Sequence, residues 1–540
     1  MSKYVITLIA GFCLLFKTAA VSAQHDDHGQ LAADQIGSTQ VKFKTSCAPA
    51  VSDDFNRGIA LLHSFWFAEA VAGFEKVLSS DADCAMAHWG IALSHWGNPF
   101  AGLRSPVQLG RGKAAIDKAL GTGSPTARES AWIAAVAELF SDDQSSTQRA
   151  RTLAYEGAME QIAQQYPEDR EATIFYALAV NQTALPADKT YAQQLKAASL
   201  LEPMFHEDPQ HPGLAHYIIH AYDHPPLAEK ALDAARRYAA LAPAIPHALH
   251  MPSHTFTRVG LWKESIETNL RSAEAARASS TAGEELHALD YQTYAYLQTA
   301  QDEAASNVLE RAMALVEGTD NIAIGATGAG AFATAAIPAR YTLERGAFAD
   351  AAALTVHPGP PYTEAITHFA RALGAARSGN PEAAATDVER LVVLRDRLIE
   401  AQDAYWSEQV EIQRQVASAW VVFAEGNHAE GIAQLEAAAA MEDKTDKSAV
   451  SPGPLAPARE LLGFMLLEAE RPEQALPAFE ATMMKEPNRF LSLYGAARAA
   501  GAVGDTDKEQ RYYKTLLQVA DEADTDRPEL QQARSAVAAQ

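Results

Sequence analysis

HYIIHAYDHPPLAEKAL (residues 216–232) and HMPSHTFTRVGLWKESI (residues 250–266) read as two copies of one unit. His216 and His250 are 34 residues apart, as are His220 and His254 (250 − 216 = 34; 254 − 220 = 34). The same register joins Pro209 to Pro243, Pro212 to Pro246 and Leu227 to Leu261. A period of this length marks an array of helical units, each exposing an apolar face that its neighbour covers. Each copy carries an HxxxH pair, and residues four apart share one face of a helix. One face of the array therefore repeats its imidazoles.

The rest of the chain fits a helical array. At 540 residues with 48% hydrophobic and 21% charged content, it can bury a large core and exceeds what one compact domain usually holds. Ala, Leu and Glu dominate, and apolar residues recur at three- and four-residue steps, as from Ala458 to Glu468 and from Ala475 to Met483. That spacing predicts helices nearly throughout and no strand. Short breaks carry Gly, Pro, Asp or Asn, as at Gly97-Asn98-Pro99, His224-Pro225-Pro226, Gly379-Asn380-Pro381 and Glu486-Pro487-Asn488. These are the expected joints of helical hairpins.

Residues 1–23 read as a secretory signal. Lys3 supplies the positive start, Val5 to Phe16 the apolar run, and Val21-Ser22-Ala23 a small-residue cleavage site. A periplasmic or secreted location follows, with no integral membrane segment after cleavage. Loss of Lys3 and Lys17 takes the formal net charge from −24 to −26 (−24 − 2 = −26), which argues against nucleic acid and anionic membranes as partners. Cys47 and Cys84 survive processing. In an oxidising compartment a bridge between them and two separate buried thiols both fit the sequence.

Leu462-Gly463, followed by Ala475, Phe479 and Pro487, and by Tyr513 one period after Phe479 (513 − 479 = 34), forms a specific signature. On these residues the chain resembles tetratricopeptide repeat proteins, and its two histidine units resemble exported bacterial members of that family. Gly58, Ala70 and Phe74 offer a second such unit. The resemblance covers most of residues 51–520 and implies an all-α solenoid of helical hairpins, a superhelix whose first helices line a concave groove. The expected order is a signal peptide (1–23), an N-terminal tail (24–50), N-terminal helical repeats (51–200) and central repeats with the histidines (201–300). Divergent repeats (301–443), a linker (444–457), a C-terminal repeat pair (458–520) and a tail (521–540) complete it.

The resemblance also implies which side chains face the groove. Taking Ala231 and Ser265 as equivalents of Ala475, His216 and His250 fall at the fifth position of the first helix and His220 and His254 at the ninth. His247 falls at the second position, Asp223 at the twelfth, and His224 and Arg258 at the thirteenth. In the next repeat, longer by six residues (305 − 265 = 40 for Ala305 and Ser265), His287, Asp290 and Tyr294 take the second, fifth and ninth.

Neutral imidazole is the common side-chain ligand of zinc and copper, and two pairs on neighbouring helices can converge on one ion. His216, His220, His250 and His254 are thus the candidate ligands of a transition metal, Zn or Cu, with Asp223 orienting a ligand from behind. His247, His224, Arg258 and His287 are candidate ligand-groove residues. Asp290 could act as general base on a metal-bound water and Tyr294 as a donor to an anionic intermediate. Pro252 removes an amide donor inside the second unit, so a kink between His250 and His254 is expected, or a helix that starts late.

Three functions fit. The first is a groove with a metal centre that binds a small-molecule or peptide ligand; the second is a metal-free scaffold for a protein or peptide; the third is a metal-dependent hydrolase or oxidase. Other histidines carry less. His25-Asp26-Asp27-His28 reads as a polar tail, and His63, His88 and His95 lie in Trp- and Phe-rich helices where packing is the simpler role. Gly325 to Gly330 lacks the preceding strand of a phosphate loop.

Overall fold

The computed structural model describes residues 35–123, 125–141, 147–319 and 328–539, which are helical with no strand among them. The signal segment, the His25–His28 run and residues 325–327 of the glycine-rich stretch lie outside the described residues.

Consecutive helices pack as antiparallel pairs, and each pair packs on the next. The joint between pairs is built from glycine against phenylalanine. A Cβ on Gly463 would come 2.6 Å from the Phe479 ring and one on Gly495 would come 2.3 Å from it. The N-terminal unit repeats this: Cβ atoms on Gly58 and Gly90 would approach Phe74 to 2.7 and 2.5 Å. Both sets keep the same spacing (479 − 463 = 16 and 495 − 479 = 16; 74 − 58 = 16 and 90 − 74 = 16). A ring from one helix fills the place where two other helices give up their side chains. The chain is therefore an all-α solenoid of tetratricopeptide-type hairpins, as its sequence predicts.

The described residues of three segments read as tail or linker (35–50, 444–457 and 521–539) are packed structure. Val41 and Phe43 are buried, and Phe43 sits 4.9 Å from Trp132 and 5.5 Å from Phe55 between ring centroids. Cys47 and Cys84 form a disulfide that clips this stretch to the start of the helix Ala85–Trp96. At the other end, the helix Pro528–Ala538 buries Leu530 and Ala533 against Thr506–Val519. Apolar residues at helical spacing in each stretch find a covered face, which composition alone does not reveal.

The third segment matters most for function. Residues 444–457 thread along the inner face of the solenoid instead of bridging two repeats outside it. Arg340, fully buried, donates to Ser451 Oγ (2.9 Å), the Gly453 carbonyl (2.9 Å) and the Pro454 carbonyl (3.0 Å). Tyr291 donates to the Ser451 carbonyl (3.2 Å), and Lys447 reaches Asp223 (3.3 Å). The superhelix also closes on itself: Trp262 Nε1 donates to the Asn488 carbonyl (2.9 Å), and Arg527 grips Asp302. The concave face is consequently a filled interior, which brings the histidine helices into the core.

Candidate metal centre

The helix Pro212–Ala221 carries His216 and His220, and the next inner helix is split at Met251 into Pro246–His250 and Pro252–Arg258. Pro252 has no amide proton to continue the ladder, so the interruption falls where its ring requires it. Both HxxxH pairs still converge. His216 Nε2 and His220 Nε2 are 3.1 Å apart, and His250 Nε2 and His254 Nε2 are 3.0 Å apart. Two nitrogens each 2.0–2.1 Å from one ion stand roughly 2.9–3.4 Å apart for angles between right and tetrahedral. The pairs have that separation.

The structure groups six imidazoles, where the sequence pointed to four around one ion. His216, His220 and His247 form one set and His250, His254 and His287 a second; in each, one nitrogen per ring lies within 4.8 Å of the other two. The third member of each set comes from the second groove position of the following repeat. One rule thus builds both: a pair from one helix and a single histidine from the next. The sets face each other, with His220 and His254 centroids 6.1 Å apart and those of His247 and His250 6.4 Å apart.

Hydrogen bonds fix which nitrogen of each ring is free. His254 Nδ1 donates to Asp223 Oδ2 (2.9 Å), and His250 Nδ1 donates to Asn269 Oδ1 (2.7 Å). Asn269 Nδ2 in turn donates to the Ser265 carbonyl (2.7 Å), which settles the orientation of that amide. His216 Nδ1 donates to the His63 carbonyl (2.6 Å). With the Nδ1 protons committed, the Nε2 atoms of His250 and His254 present two lone pairs to each other at 3.0 Å. Burial pushes all six rings below their ordinary pKa, reinforced by neighbouring imidazoles at five of them and, at His254, by Lys447 and Arg258 against the opposing Asp223 carboxylate, so they are neutral at neutral pH. Facing lone pairs repel unless a cation lies between them. His247 Nε2 and His287 Nδ1 are likewise buried without a hydrogen-bond partner.

Aromatic rings and one charged network surround the sets. Phe65 and Phe100 pack on His216 and His220 (4.4 and 4.3 Å between centroids), Tyr238 stacks on His216, and Tyr291 packs on His250 at 4.5 Å. Asp223 accepts from His254, from Arg258 Nε (2.9 Å) and from Lys447. Burial raises its carboxyl, but Lys447, Arg258 and His254 outweigh that and hold it well below the usual range. Burial lowers the Lys447 ammonium to about 8. Behind His216, His63 donates from Nε2 to Glu171 (2.9 Å), as does His211 (3.1 Å), a closed trio that braces the His63 carbonyl.

Of the remaining sequence candidates, Arg258 works through Asp223 and lines a partly open cavity with Tyr405, Trp406 and Lys447. His224 turns away, to Asp446 (3.3 Å) and Gln194. Asp290 does not face the imidazoles as a base: Arg340 Nε donates to it at 2.8 Å and both side chains are fully enclosed. Tyr294 donates to Glu486 (3.3 Å) and accepts from Arg489 (3.2 Å). Tyr291, one turn earlier, is the phenol beside the histidines, 3.5 Å from both nitrogens of His254. Sequence register gave the helix correctly but the wrong face for a tyrosine, because the inner helices meet around a closed interior.

No family model matches the chain, and no curated protein matches it. Among solved structures, the chain is similar to one described as an APC/C hetero-tetramer of Cut9 and Hcn1, at 11% identity over 90% of each chain with a TM-score of 0.31. It is also similar to yeast Tom70 (11% identity, 91% of this chain and 88% of that one, TM-score 0.26). A third is Naa15/Naa10 bound to HypK-THB (12% identity, 90% and 73%, TM-score 0.23). Likenesses this distant carry nothing about activity or partner.

Proposed function

We propose that this solenoid is a metal-binding protein whose six inner histidines hold two transition-metal ions, copper or zinc, one per three-imidazole set. The observation that carries the reading is the 3.0 Å approach of His250 Nε2 and His254 Nε2 while Nδ1 of each donates to Asn269 and Asp223. Such outer partners are the usual companions of ligating histidines, since they fix the tautomer and aim the lone pair. Neither set contains a carboxylate or thiolate, which favours copper or zinc over calcium, magnesium or manganese. The Cys47–Cys84 disulfide supports export to an oxidising compartment, in keeping with the signal read at residues 1–23.

A small organic molecule suits this interior better than a peptide. Residues 444–457 already occupy the inner face, whereas the cavity beside Arg258 and Lys447 offers room and aromatic walls. Metal analysis of protein purified without an affinity tag, against a His220→Ala/His254→Ala variant, tests the reading. Two ions per chain in the parent and a loss in the folded variant support it. Equal trace metal in both would leave a metal-free scaffold.

A further inference from the structure

We infer that the two ions are copper and that the pair binds dioxygen in the gap between the sets. This rests on the metal-binding reading above and adds to it the identity of the metals, their cooperation and the ligand.

Six neutral imidazoles bring no negative charge, and the sets lie in a buried interior. Asp223 stands outside the donors and is already shared by Arg258 and Lys447. Glu284 is also outside, 3.9 Å beyond His247 Nδ1. Two divalent ions would place four positive charges among groups that cannot offset them, at a large desolvation cost. Two cuprous ions halve that charge. Copper is the imidazole-loving metal with a stable univalent state, whereas zinc has none.

The coordination of each ion is also open. Three imidazoles leave positions vacant on each side, and the sets oppose each other across 6.1 and 6.4 Å between ring centroids. A ligand entering the gap meets both ions at once. Dioxygen fits this charge and geometry. Each cuprous ion gives up one electron; the oxygen molecule takes both and becomes peroxide, its O–O bond order falling from two to one. Copper–oxygen bonds form to both ions and no proton is taken up. Two cuprous ions plus oxygen, and two cupric ions plus peroxide, carry the same net charge, so the buried site binds the gas without importing or expelling an ion.

Aromatic rings surround the gap. Phe65 and Phe100 wall the imidazoles with apolar ring surface, which limits the water that would protonate and release peroxide, while the Tyr291 hydroxyl donates to the Ser451 carbonyl. Asp290, three residues after His287, is locked to Arg340.

The test uses the full chain, loaded anaerobically with two equivalents of cuprous ion and then exposed to dioxygen. The inference expects one O2 taken up per two coppers, a new intense near-ultraviolet charge-transfer band, and no paramagnetic signal accounting for the copper, because paired cupric ions couple through the bridge. His247→Ala and His287→Ala, each removing one ligand from a different set, are each expected to retain about one copper and to lose O2 uptake, with helical circular dichroism unchanged. Two coppers per chain that oxidise to isolated, paramagnetic cupric ions, the reduced oxygen leaving as superoxide or peroxide instead of staying bound, would overturn the inference and leave the metal-binding reading standing. So would two tightly held zinc ions that copper does not replace. Failure to bind any metal would overturn both.

Discussion

Asn269 Oδ1 accepts the Nδ1 proton of His250 at 2.7 Å, and through that bond it aims His250 Nε2 at His254. The amide belongs to the outer helix Trp262–Ala278, so a residue outside the histidine helices decides which nitrogen can ligate. Asn269→Ala is expected to weaken one of the two ions about 10–100-fold, the usual effect of losing such an outer partner. The other set does not touch Asn269. A titration with a competing chelator should show one affinity reduced and one retained; two unchanged affinities would mean that the bond is structural only.

Arg340 is the clamp of the inner segment. Its guanidinium spans Asp290, Ser451, Gly453 and Pro454. Arg340→Ala leaves Asp290 as an uncompensated buried carboxylate and frees residues 444–457, at a cost of about 3–5 kcal/mol. Limited proteolysis should then cut within 444–457 at protease levels that leave the parent whole. Resistance equal to that of the parent would show that the segment is held by packing instead.

Burial raises the Glu442 carboxyl from the ordinary 4.5 to about 7, while its Oε2 accepts the Ala458 amide proton at 2.8 Å. The folded protein binds this proton more tightly than the unfolded chain. Stability is therefore lost as pH rises from 4.5 to about 7, and the loss is complete above that range. Glu442→Gln keeps an acceptor for Ala458 and removes the charge. It is expected to raise the melting temperature near about pH 8 and to leave it unchanged near about pH 4.5, where parent and variant are both neutral at this position. A pH-independent difference would contradict this.

The Cys47–Cys84 bridge ties residues 35–51 to the N-terminal aromatic core. Cys47→Ser/Cys84→Ser should lower stability by about 2–4 kcal/mol in denaturant unfolding, with metal stoichiometry intact, since the bridge contacts neither histidine set. Loss of metal together with stability would tie this clip to the centre.

Much of this was legible in the sequence. The 34-residue register of His216 with His250 and of His220 with His254 put two imidazole pairs on neighbouring helices, and Gly463 with Phe479 marked the hairpin joint. His247 and His287 were visible as second-position residues, yet their role as third members depends on how steeply one inner helix crosses the next, which periodicity does not encode. The six-residue insertion also hides their equivalence (287 − 247 = 40). Lys447 and Ser451 were out of reach for a different reason: a proline-rich stretch with no periodicity reads as a linker, and only the closed superhelix shows that it lies inside. Asp290 and Tyr294 are engaged by Arg340 and Arg489, which are distant in sequence and so were not visible as their partners.

The central claim is that two ions sit among these six rings. Anomalous diffraction from metal-loaded crystals, collected at the metal edge, tests it most directly. The account predicts two peaks, one about 2.0–2.1 Å from nitrogens of His216, His220 and His247 and the other equally placed among His250, His254 and His287. A single peak shared by all four HxxxH histidines, or peaks only on the protein surface, would contradict it.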